Sequence, residues 1–418
     1  MTADNKQSEQ PATGVDVAIV GGGMAGASLA LMLAHYCPQL SLALLERQPL
    51  PDPQASLQLP SFDTRATALA AGSLQLFAEL GLWPALREHC APIEHIGVSD
   101  RGRAAGIALR APEEPHASFD GMLGAVIENA ALGPLLHRAL ARTGVQLLAP
   151  AQVDSVQMHE DSAQLQWRAG DREHTLRARL LVIADGTDSP LCRQLGIDIE
   201  RVSYRQRALV TTVGLAQPHG NRAYERFTDA GPMALLPLPP RGGQHRMALV
   251  WTCEAADAET LAALPERDFV ARLQRAFGWR AGRIERAGRL HSYPLSLSLA
   301  REQWRRNLAL VGNCAHFLHP VAGQGFNLTL RDSYGLAQTL AREDLARNSP
   351  GQLDLLEGFG RQRRRDQQLT IGFSDRVPPL FAAPGLMARG LRQVGLLGLA
   401  LAPPLRAGFV GQAAGFGL

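Results

Sequence analysis

A chain of 418 residues exceeds what a single hydrophobic core usually fills, so about two structural units are expected. Hydrophobic residues make up 46% of the chain and charged residues 19%, which excludes an intrinsically disordered protein. The formal net charge of +3 is too small to favour nucleic acid as a partner. The five cysteines form no C-x-x-C pair, which argues against a zinc site or a redox dithiol.

The polar N-terminus, residues 1–14, is predicted to be a disordered leader, because it lacks the apolar segment of a signal peptide. The chain contains no run of eighteen apolar residues, so no membrane-spanning helix is predicted. An odd, scattered set of cysteines fits a reducing compartment. These features together favour a cytoplasmic location.

The first motif is a glycine-rich turn between a strand and a helix. Val15 to Val20 is a short apolar run typical of a buried parallel strand. Gly21, Gly23 and Gly26 then fit the pattern G-x-G-x-x-G, and the helical pattern begins within it. Such glycines let the backbone approach a pyrophosphate at the positively polarised start of a helix.

A second strand, Ser41 to Leu45, follows that helix and ends at Glu46. A carboxylate at the tip of this strand can accept hydrogen bonds from ribose hydroxyls. The order of strand, helix, strand and acidic residue predicts dinucleotide binding, with an ordinary glycine turn of a βαβ unit as the alternative. The motif by itself does not separate FAD from NAD.

Two further segments have the features of anion-facing turns. Arg65, in SFDTRATALAAGS, is predicted to open a helix, where its guanidinium can meet a phosphate or a flavin edge or can simply cap a surface helix. Leu180 to Ala184 reads as a strand, Asp185 and Gly186 as the turn after it, and Ser189 as the start of a helix.

A late glycine cluster, GNCAHFLHPVAGQGFNL, repeats the pattern near the end of the chain. Leu308 to Val311 is predicted to be a strand, Gly312 turns it, and Asn313 is placed to contact a ribose or ribityl hydroxyl. Residues 320–325 form a glycine-rich loop, and Phe326 begins a predicted helix. The loop therefore directs a helix N-terminus at a ligand.

These four motifs, in this order and spacing, resemble those of the class A flavoprotein aromatic hydroxylases, which share the fold of para-hydroxybenzoate hydroxylase. The resemblance covers about residues 15–375. Within the class, SFDTRATAL and LHPVAGQGFNLTLRD are most similar to the ubiquinone-biosynthesis hydroxylases, in particular the branch acting on 2-octaprenyl-6-methoxyphenol. The class usually carries Asp at the place of Asn313. Asparagine still accepts through its carbonyl oxygen but removes a negative charge near the pyrophosphate.

The resemblance implies an α/β fold. A Rossmann-like FAD-binding domain with a parallel sheet and βαβ units is expected over 15–80, 125–197 and 296–340. A substrate domain built on an antiparallel β-sheet is expected over 81–124 and 198–295, where RALVTTVGL, GPMALLPLPP and HRMALVWTC read as strands. A helical, apolar and arginine-rich C-terminal region is expected over 341–418.

The resemblance also implies contacts to FAD at positions that lie in, or beside, these motifs. They are Gly21, Gly23, Met24, Ala25, Gly26, Glu46, Arg47, Arg65, Asn129, Val153, Asp185, Gly186, Gly312, Asn313, Pro320, Gly323, Gln324, Gly325, Phe326 and Asn327. Helix capping is the alternative role for Asn129.

The catalytic group cannot be named from the sequence. Candidates in the flavin loop are Pro320, Gly323, Gln324 and Gly325, and the candidates on the substrate side are Pro237 and Tyr293. For Tyr293 a buried structural role is an equal alternative. His316 and His319 are expected to pack or to bridge backbone groups, and no metal site is expected.

The C-terminal segment from Arg376 to Leu418 contains four arginines but no Asp, Glu or Lys. Its composition fits a lipid-facing segment, a cover for the flavin domain or a subunit interface. RQRRR at 361–365 is typical of a solvated helix face, with acidic lipid headgroups or an acidic partner as alternatives.

The implied function is that of a monooxygenase that binds FAD, uses NADPH or NADH as a transient co-substrate, and hydroxylates a prenylated phenol with O₂. Proteins of a ubiquinone-biosynthesis complex and a peripheral contact with the inner membrane are the expected partners. Three alternatives stay open at this point: a flavin hydroxylase of another aromatic compound, a flavin-dependent prenyl-lipid reductase, and a catalytically inactive FAD-binding scaffold.

Overall fold

The elements described here belong to a computed structural model that covers residues 13–50, 65–100, 106–111, 118–228, 231–318, 323–345 and 347–382. The strands, in chain order, are β1 (Thr13–Val20), β2 (Leu42–Leu45), β3 (Ala66–Ala70), β4 (Cys90–Ile93), β5 (His95–Asp100), β6 (Gly106–Arg110), β7 (Gly124–Glu128), β8 (Gln146–Leu148), β9 (Gln152–Met158), β10 (Ala163–Ala169), β11 (Arg172–Ile183), β12 (Ile199–Leu215), β13 (Arg222–Thr228), β14 (Gly231–Arg241), β15 (Gln244–Glu254), β16 (Ile284–Ala287), β17 (His291–Ala300), β18 (Trp304–Arg305), β19 (Leu308–Leu310) and β20 (His316–Phe317). The helices are α1 (Met24–Tyr36), α2 (Ala71–Glu79), α3 (Trp83–Arg87), α4 (Asn129–Leu140), α5 (Pro190–Gln194), α6 (Ala255–Ala262), α7 (Glu266–Phe277), α8 (Gln324–Ala341) and α9 (Leu353–Ala382).

The first sheet has the strand order β18-β19-β11-β1-β2-β8, and its central neighbours β19, β11, β1, β2 and β8 run parallel. Val17 and Ile19 of β1 face one core together with α1, while Ala18 and Val20 face a second core on the other side. Both faces of the strand are therefore covered, which explains its continuous apolar sequence. The predicted βαβ unit is confirmed.

The second sheet has the order β20-β17-β12-β15-β14-β13-β5-β6, with β16 added beside β12. Its strands pair antiparallel except β13 with β5. One face, called the back face here, packs Met233, Leu249 and Trp251 against Phe269 and Leu273 of α7. The sequence did not predict α6 and α7, which follow β15.

The opposite face of the second sheet, called the front face, packs against the third sheet, β3-β7-β4. Ala223, Leu238 and Ala248 of the front face lie in one core with Leu123 and Val126. The three sheets and the helices confirm the predicted α/β class with an antiparallel second layer. The proposed boundaries of the two domains stay a prediction, since β4 joins the third sheet while β5 and β6 join the second.

The prediction that a helix begins at Arg65 is wrong. Ala66–Ala70 forms β3, and helix α2 begins only at Ala71. Strand β3 pairs with β7 from Ala66 opposite Glu128 to Ala70 opposite Gly124. This pairing supplies partners to the backbone of β3 and overrides the helix preference of its alanines.

Helices α8 and α9 are joined by a buried charge cluster, defined here as His316, Arg331, Asp332, Arg363 and Asp366. The Arg363 Nε donates to Asp332 Oδ1 (2.8 Å), and Arg331 Nε donates to Asp366 Oδ2 (2.7 Å). Arg363 also contacts Asp366. The His316 Nε2 lies 2.6 Å from Asp332 Oδ2, and all five side chains are almost completely buried.

Burial alone would raise the pKa of Asp332, but His316 and Arg363 together hold it below its ordinary value. Gly335 on α8 makes room for this arrangement, because a Cβ there would lie 2.7 Å from the Arg363 Cδ. The prediction that RQRRR is a solvated face is therefore wrong for Arg363, whereas Arg361, Arg364 and Arg365 are exposed. The ion pair with Asp332 explains why this arginine is buried.

None of the helices in the described ranges is both long and apolar enough to cross a membrane. The arginines Arg389, Arg392 and Arg406 lie outside the described residues, as does the leader up to residue 12. The roles predicted for these two segments stay predictions.

The substitution Arg363→Ala should lower the free energy of unfolding by about 3–5 kcal/mol, because it leaves two buried carboxylates without their shared counter-charge. Arg364→Ala removes an exposed arginine from the same helix turn and should change stability by less than about 0.5 kcal/mol. Denaturant unfolding followed by circular dichroism measures both. Equal effects of the two substitutions would contradict the role of the charge cluster.

Candidate flavin and substrate site

The glycine turn after β1 is closed by contacts within the protein itself. Gly21 has a φ of 108°, a conformation that disfavours side chains, and its Cα faces the backbone of Ala184. A Cβ on Gly26 would overlap the carbonyl oxygen of Gly21, and a Cβ on Gly22 would lie 2.8 Å from the Glu46 Cβ. The glycines thus bring the turn, the start of α1 and the tip of β2 into direct contact.

Glu46 fixes this turn through both carboxylate oxygens. Its Oε2 accepts from the Gly22 N–H (2.6 Å) and its Oε1 accepts from the Gln48 N–H (2.9 Å). A carboxylate has about four acceptor positions, so it retains capacity for ribose hydroxyls, and the predicted ribose contact stays a prediction. The Ala151 N–H donates to the Glu46 carbonyl (2.7 Å), which places the start of β9, and with it Val153, next to this site.

His137 of α4 supports the turn from below and was missed by the sequence analysis. Its Nε2 lies 2.7 Å from the Gly22 carbonyl oxygen, which can only accept, so Nε2 carries the proton. Burial lowers the pKa of His137 despite the opposing effects of Gly22 and Glu46. In the sequence, a histidine eight residues into a helical pattern looks the same whether it packs in the core or supports a neighbouring turn.

Asp185 lies at the end of β11, directly beside the glycine turn. Its Oδ2 accepts from the Ser189 hydroxyl (2.8 Å), while Oδ1 is buried and has no partner in the described chain beyond its own amide. Burial raises the pKa of Asp185 to about 6, against the lowering effect of Ser189 and the exposed Arg47. A buried acceptor without a donor is costly, so it fits a ligand hydroxyl.

Gly312 and Asn313 follow the third of these neighbouring strands. A Cβ on Gly312 would lie 2.8 Å from the Ala25 Cβ, so the turn after β19 also reaches the start of α1. The Asn313 side chain is exposed and forms no hydrogen bond within the described chain. Parallel strands β1, β11 and β19 therefore end at one edge with a glycine turn, an open carboxylate and an open amide, as expected for a dinucleotide site.

The late glycine loop leads into α8 and is anchored by Asn327. The Asn327 Nδ2 donates to the carbonyls of Ala68 (2.9 Å) and Gly323 (2.8 Å). Its Oδ1 accepts from the Ala70 N–H (2.9 Å) and the Ser73 hydroxyl (2.7 Å). These four bonds use the full capacity of the amide, so Asn327 positions the loop against β3. We assign it no direct contact with the flavin.

One side of the first turn of α8, at Gly325, is not covered by the described chain. Its N-cap residue, Gly323, offers no side chain to the free N–H groups, which leaves the positive end of the helix dipole available. A Cβ on Gly325 would meet nothing within 4 Å in the described chain. The protein's own packing therefore does not require glycine here, in contrast to Gly26. Gln324 is buried and Phe326 packs on the first core, whereas Pro320 and His319 lie outside the described residues.

Arg65 lies where the third sheet meets the second. Its guanidinium carbon is 5.0 Å from the centre of the Tyr293 ring, a cation–π distance. The Arg65 carbonyl accepts from the Asn129 N–H (2.8 Å), and the Thr67 hydroxyl donates to Asn129 Oδ1 (2.7 Å). Asn129 is thus held by Thr67 and is not the helix cap, since α4 is capped at Glu128 without a side-chain bond.

The two substrate-side candidates lie on different faces of the second sheet. Tyr293 pairs with Ala208, and the cross-strand pairing that continues from Ala208 places Tyr293 on the front face. Pro237 pairs with Met247, whose side chain belongs to the back-face core. Because side chains alternate along a strand, Pro237 does not face the site. Its neighbours Leu236 and Leu238 do, and a shift of one position in reading the strand explains the error.

This arrangement defines a flavoprotein of the Rossmann type, with the cofactor turn on one side and the front face of an antiparallel sheet on the other. The chain belongs to the family described as FAD binding domain, whose model matches residues 14–370. FAD is accordingly its cofactor. The orphaned Asp185 oxygen, the open Asn313 amide and the open space at Gly325 fit such a group.

Known proteins resemble the chain over almost its whole length. It is 35% identical over 397 residues to ubiquinone hydroxylase UbiL of Rhodospirillum rubrum, covering 93% of this chain and 88% of that protein. It is 29% identical to 3-demethoxyubiquinol 3-hydroxylase of Escherichia coli, covering 91% and 94%. The fold is similar to that of p-nitrophenol 4-monooxygenase PnpA of Pseudomonas putida, with a TM-score of 0.74, 16% identity and coverage of 97% and 100%.

The substitution Gly325→Ala should separate folding from flavin binding. Alanine is the better helix former by about 1 kcal/mol, so the apoprotein should unfold at equal or higher denaturant concentration. The affinity for FAD should fall at least about tenfold, or about 1.4 kcal/mol, because the methyl group enters the space of the ligand. Fluorescence titration of apoprotein with FAD measures this loss.

Two controls frame that result. Gly26→Ala should weaken both the apoprotein and FAD binding, since its Cβ meets the chain itself, whereas Gly144→Ala, which has open surroundings, should change neither. Unchanged FAD affinity in Gly325→Ala would show that the start of α8 does not border the flavin.

Proposed function

We propose that this protein is an FAD-dependent monooxygenase that uses NAD(P)H and O₂ to hydroxylate the aromatic ring of a polyprenylated phenol in ubiquinone biosynthesis. The observation that carries the proposal is the 35% identity to a ubiquinone hydroxylase across 93% of the chain. Bound FAD, once reduced by nicotinamide, supplies the electrons with which one atom of O₂ becomes water and the other enters the ring.

The protein's own groups supply position and electrostatics. The unpaired N–H groups at the start of α8 favour negative charge next to them, as expected beside a reduced flavin. Gly325 keeps a side chain out of the open space beside this helix end. Arg65 and Tyr293 join the flavin side to the front face of the second sheet, which is the surface on which a phenol ring would lie.

A polyprenyl tail would add most of the binding energy, since each buried CH₂ group contributes about 0.8 kcal/mol. Such a substrate resides in a membrane, and the apolar, arginine-bearing sequence from 376 onward has the composition of a segment that contacts lipid. Peripheral contact with the inner membrane, and association with other proteins of the pathway, are therefore part of the proposal.

Anaerobic mixing of the purified holoprotein with NADPH tests this function. The oxidised flavin absorption should bleach, and it should bleach faster when a short-chain prenylphenol is present. Under air the same mixture should consume O₂ and yield a hydroxylated phenol. Turnover without O₂ consumption would indicate a prenyl-lipid reductase, and bound flavin that NADPH never bleaches would indicate a scaffold. Either result would contradict the proposal.

A further inference from the structure

The front face of the second sheet carries a carboxylate that no role described above explains. Glu225 lies on β13, two residues from Ala223 and two from Phe227, so the three share one face. Ala223 packs in the core between the second and third sheets, which identifies that face as the front. The Glu225 carboxylate makes no hydrogen bond and no ion pair within the described chain.

Glu225 belongs to a row of cross-strand neighbours, called the open row here. The registers pair Glu225 with Val98 and Ala234, Ala234 with Val250, Val250 with Val210, and Val210 with His291. All six side chains are half-buried. At about 4.8 Å between strands, the row spans roughly 19 Å from Glu225 to His291.

The rows on either side of the open row contain the more deeply covered side chains. On one side Ala223 and Ala248 are buried against the third sheet, while Ile96, Leu236 and Thr212 of the same row are half-buried. On the other side Phe227, Thr252 and Ala208 are buried. The open row, none of whose side chains is fully buried, forms the floor of a trough between them. Its middle is apolar, with Ala234, Val250 and Val210, while the ionisable groups are Glu225, next to Val98 near one end, and His291 at the other end.

The core beside this trough extends to the loop that leads into α8. Ala66 and Ala68 of β3 pack in the same core as Ala223. A Cβ on Gly323 would lie 3.3 Å from the Ala68 Cβ. The core that includes Ala223 of the front face therefore continues, through Ala68, to the first residue of the flavin loop that the structure describes.

The surroundings of Glu225 disfavour its charged form. Burial raises the pKa of its carboxyl to about 8. The Glu225 side chain is partly accessible, yet its charged form is strongly desolvated. Both observations fit a carboxylate that lines an enclosed space. The described side chains that share its face on β13, β14 and β5 are uncharged: Ala223, Phe227, Ala234, Leu236, Ile96 and Val98. Asp100, the last residue of β5, is an acidic residue whose register position opposite Phe227 falls on the same face. From α9, which also packs on β13, the carboxylate of Asp375 is bonded to the Tyr204 hydroxyl instead (2.6 Å).

We propose that Glu225 accepts the proton of the substrate's phenol group and thereby orients and activates the ring for hydroxylation. The assignment rests on the proposed function. In the step, the phenol O–H bond breaks, its proton bonds to a carboxylate oxygen of Glu225, and the electron pair stays on the phenolate oxygen. The phenolate is richer in electrons at the ring carbons. When the ring is hydroxylated, its attacked carbon then loses its hydrogen as a proton, and the electron pair of that C–H bond restores the aromatic ring and the phenolate. The carboxyl finally returns its own proton to the phenolate oxygen.

The acidity of the two groups is suited to this transfer. A phenol has a pKa of about 10, and an ordinary glutamate about 4.3, so proton transfer to an exposed glutamate is strongly uphill. A carboxylate whose pKa is raised toward neutrality reduces the difference in pKa between itself and the phenol. It also titrates near the working pH. The apolar middle of the trough offers a surface for the first isoprene units of the tail.

Comparison of Glu225→Gln with wild type tests the assignment, using holoprotein, NADPH and a short-chain prenylphenol. The variant should form hydroxylated product about 100-fold more slowly, and most of its NADPH oxidation should yield H₂O₂. The rate at which NADPH reduces its flavin without air, and its affinity for FAD, should stay within about twofold of wild type. The defect would then lie in the hydroxylation step. Glu173→Gln, which alters an exposed glutamate of β11, should behave as wild type.

The pH dependence gives a readout that a structural role would not produce. In wild type, kcat/KM for the phenol should rise with ionisation of a group whose pKa lies near 8, and this rise should be absent in Glu225→Gln. Glu225→Asp keeps the carboxylate and should retain the rise at a reduced rate. If Glu225→Gln does not fold, the pH profile of Glu225→Asp decides the question.

A second measurement follows from linkage. The folded-state pKa of Glu225 lies above its unfolded value, so the native protein binds the proton more tightly. Stability should therefore fall as the pH rises from about 5 to above 8, and Glu225→Gln should show a smaller fall.

Three results would overturn the assignment. The Glu225→Gln variant could form product at the wild-type rate and with the wild-type pH profile. That result would exclude Glu225 as the proton acceptor while leaving the proposed function intact. An equal fall of stability with pH in both proteins would show that Glu225 is not the desolvated carboxyl inferred here. A wild-type protein that forms no hydroxylated phenol would overturn the assignment together with the proposed function.

Discussion

The site depends on how closely three parallel strands approach one another at their carboxyl ends. The turn after β1 can touch Ala184, which follows β11, and the start of α1 only because Gly21 and Gly26 carry no side chain. Gly312 allows the same approach for β19. These contacts expose backbone N–H groups, the open oxygen of Asp185 and the amide of Asn313 at one edge. A single added methyl group at Gly26 would separate them, which makes packing rather than hydrogen bonding the primary constraint.

A second, independent constraint fixes the start of α8. The helix is held at one end by Asn327, whose amide is saturated by β3, α2 and Gly323, and along its length by the buried charge cluster with α9. Charges that are buried in pairs contribute little net stability but penalise any arrangement that separates them. The cluster therefore specifies one position of α8 against α9, and with it the position of the helix N-terminus that we propose to border the flavin.

The sequence predicted those parts of the molecule that depend on local backbone chemistry. The βαβ unit, the Asp-Gly turn with its Ser189 cap and the helix after the late glycine loop follow from glycines, caps and apolar runs. The sequence did not predict features that depend on tertiary contacts. β3 is a strand because β7 pairs with it, and Arg363 is buried because Asp332 and Asp366 neutralise it.

The same limit applies to the substrate side of the site. Pro237 was assigned to the wrong face because the strand offers apolar residues on both faces, so alternation gives no signal there. Glu225 appears in the sequence as one more charged residue among arginines, AYERF. Its apolar cross-strand neighbours become visible only when the registers of β5, β13 and β14 place Val98 and Ala234 beside it. Resemblance to relatives gave the reaction class, while the geometry led to the proposal that Glu225 accepts the proton of the phenol.

The most direct test of the central claim is the origin of the oxygen atom in the product. The holoprotein, NADPH and a short-chain prenylphenol would be incubated under ¹⁸O₂ in ordinary water, and the product analysed by mass spectrometry. The account predicts one labelled oxygen atom in each hydroxylated phenol. A product whose new oxygen is unlabelled, or a prenyl chain that has been reduced while the ring is unchanged, would contradict it.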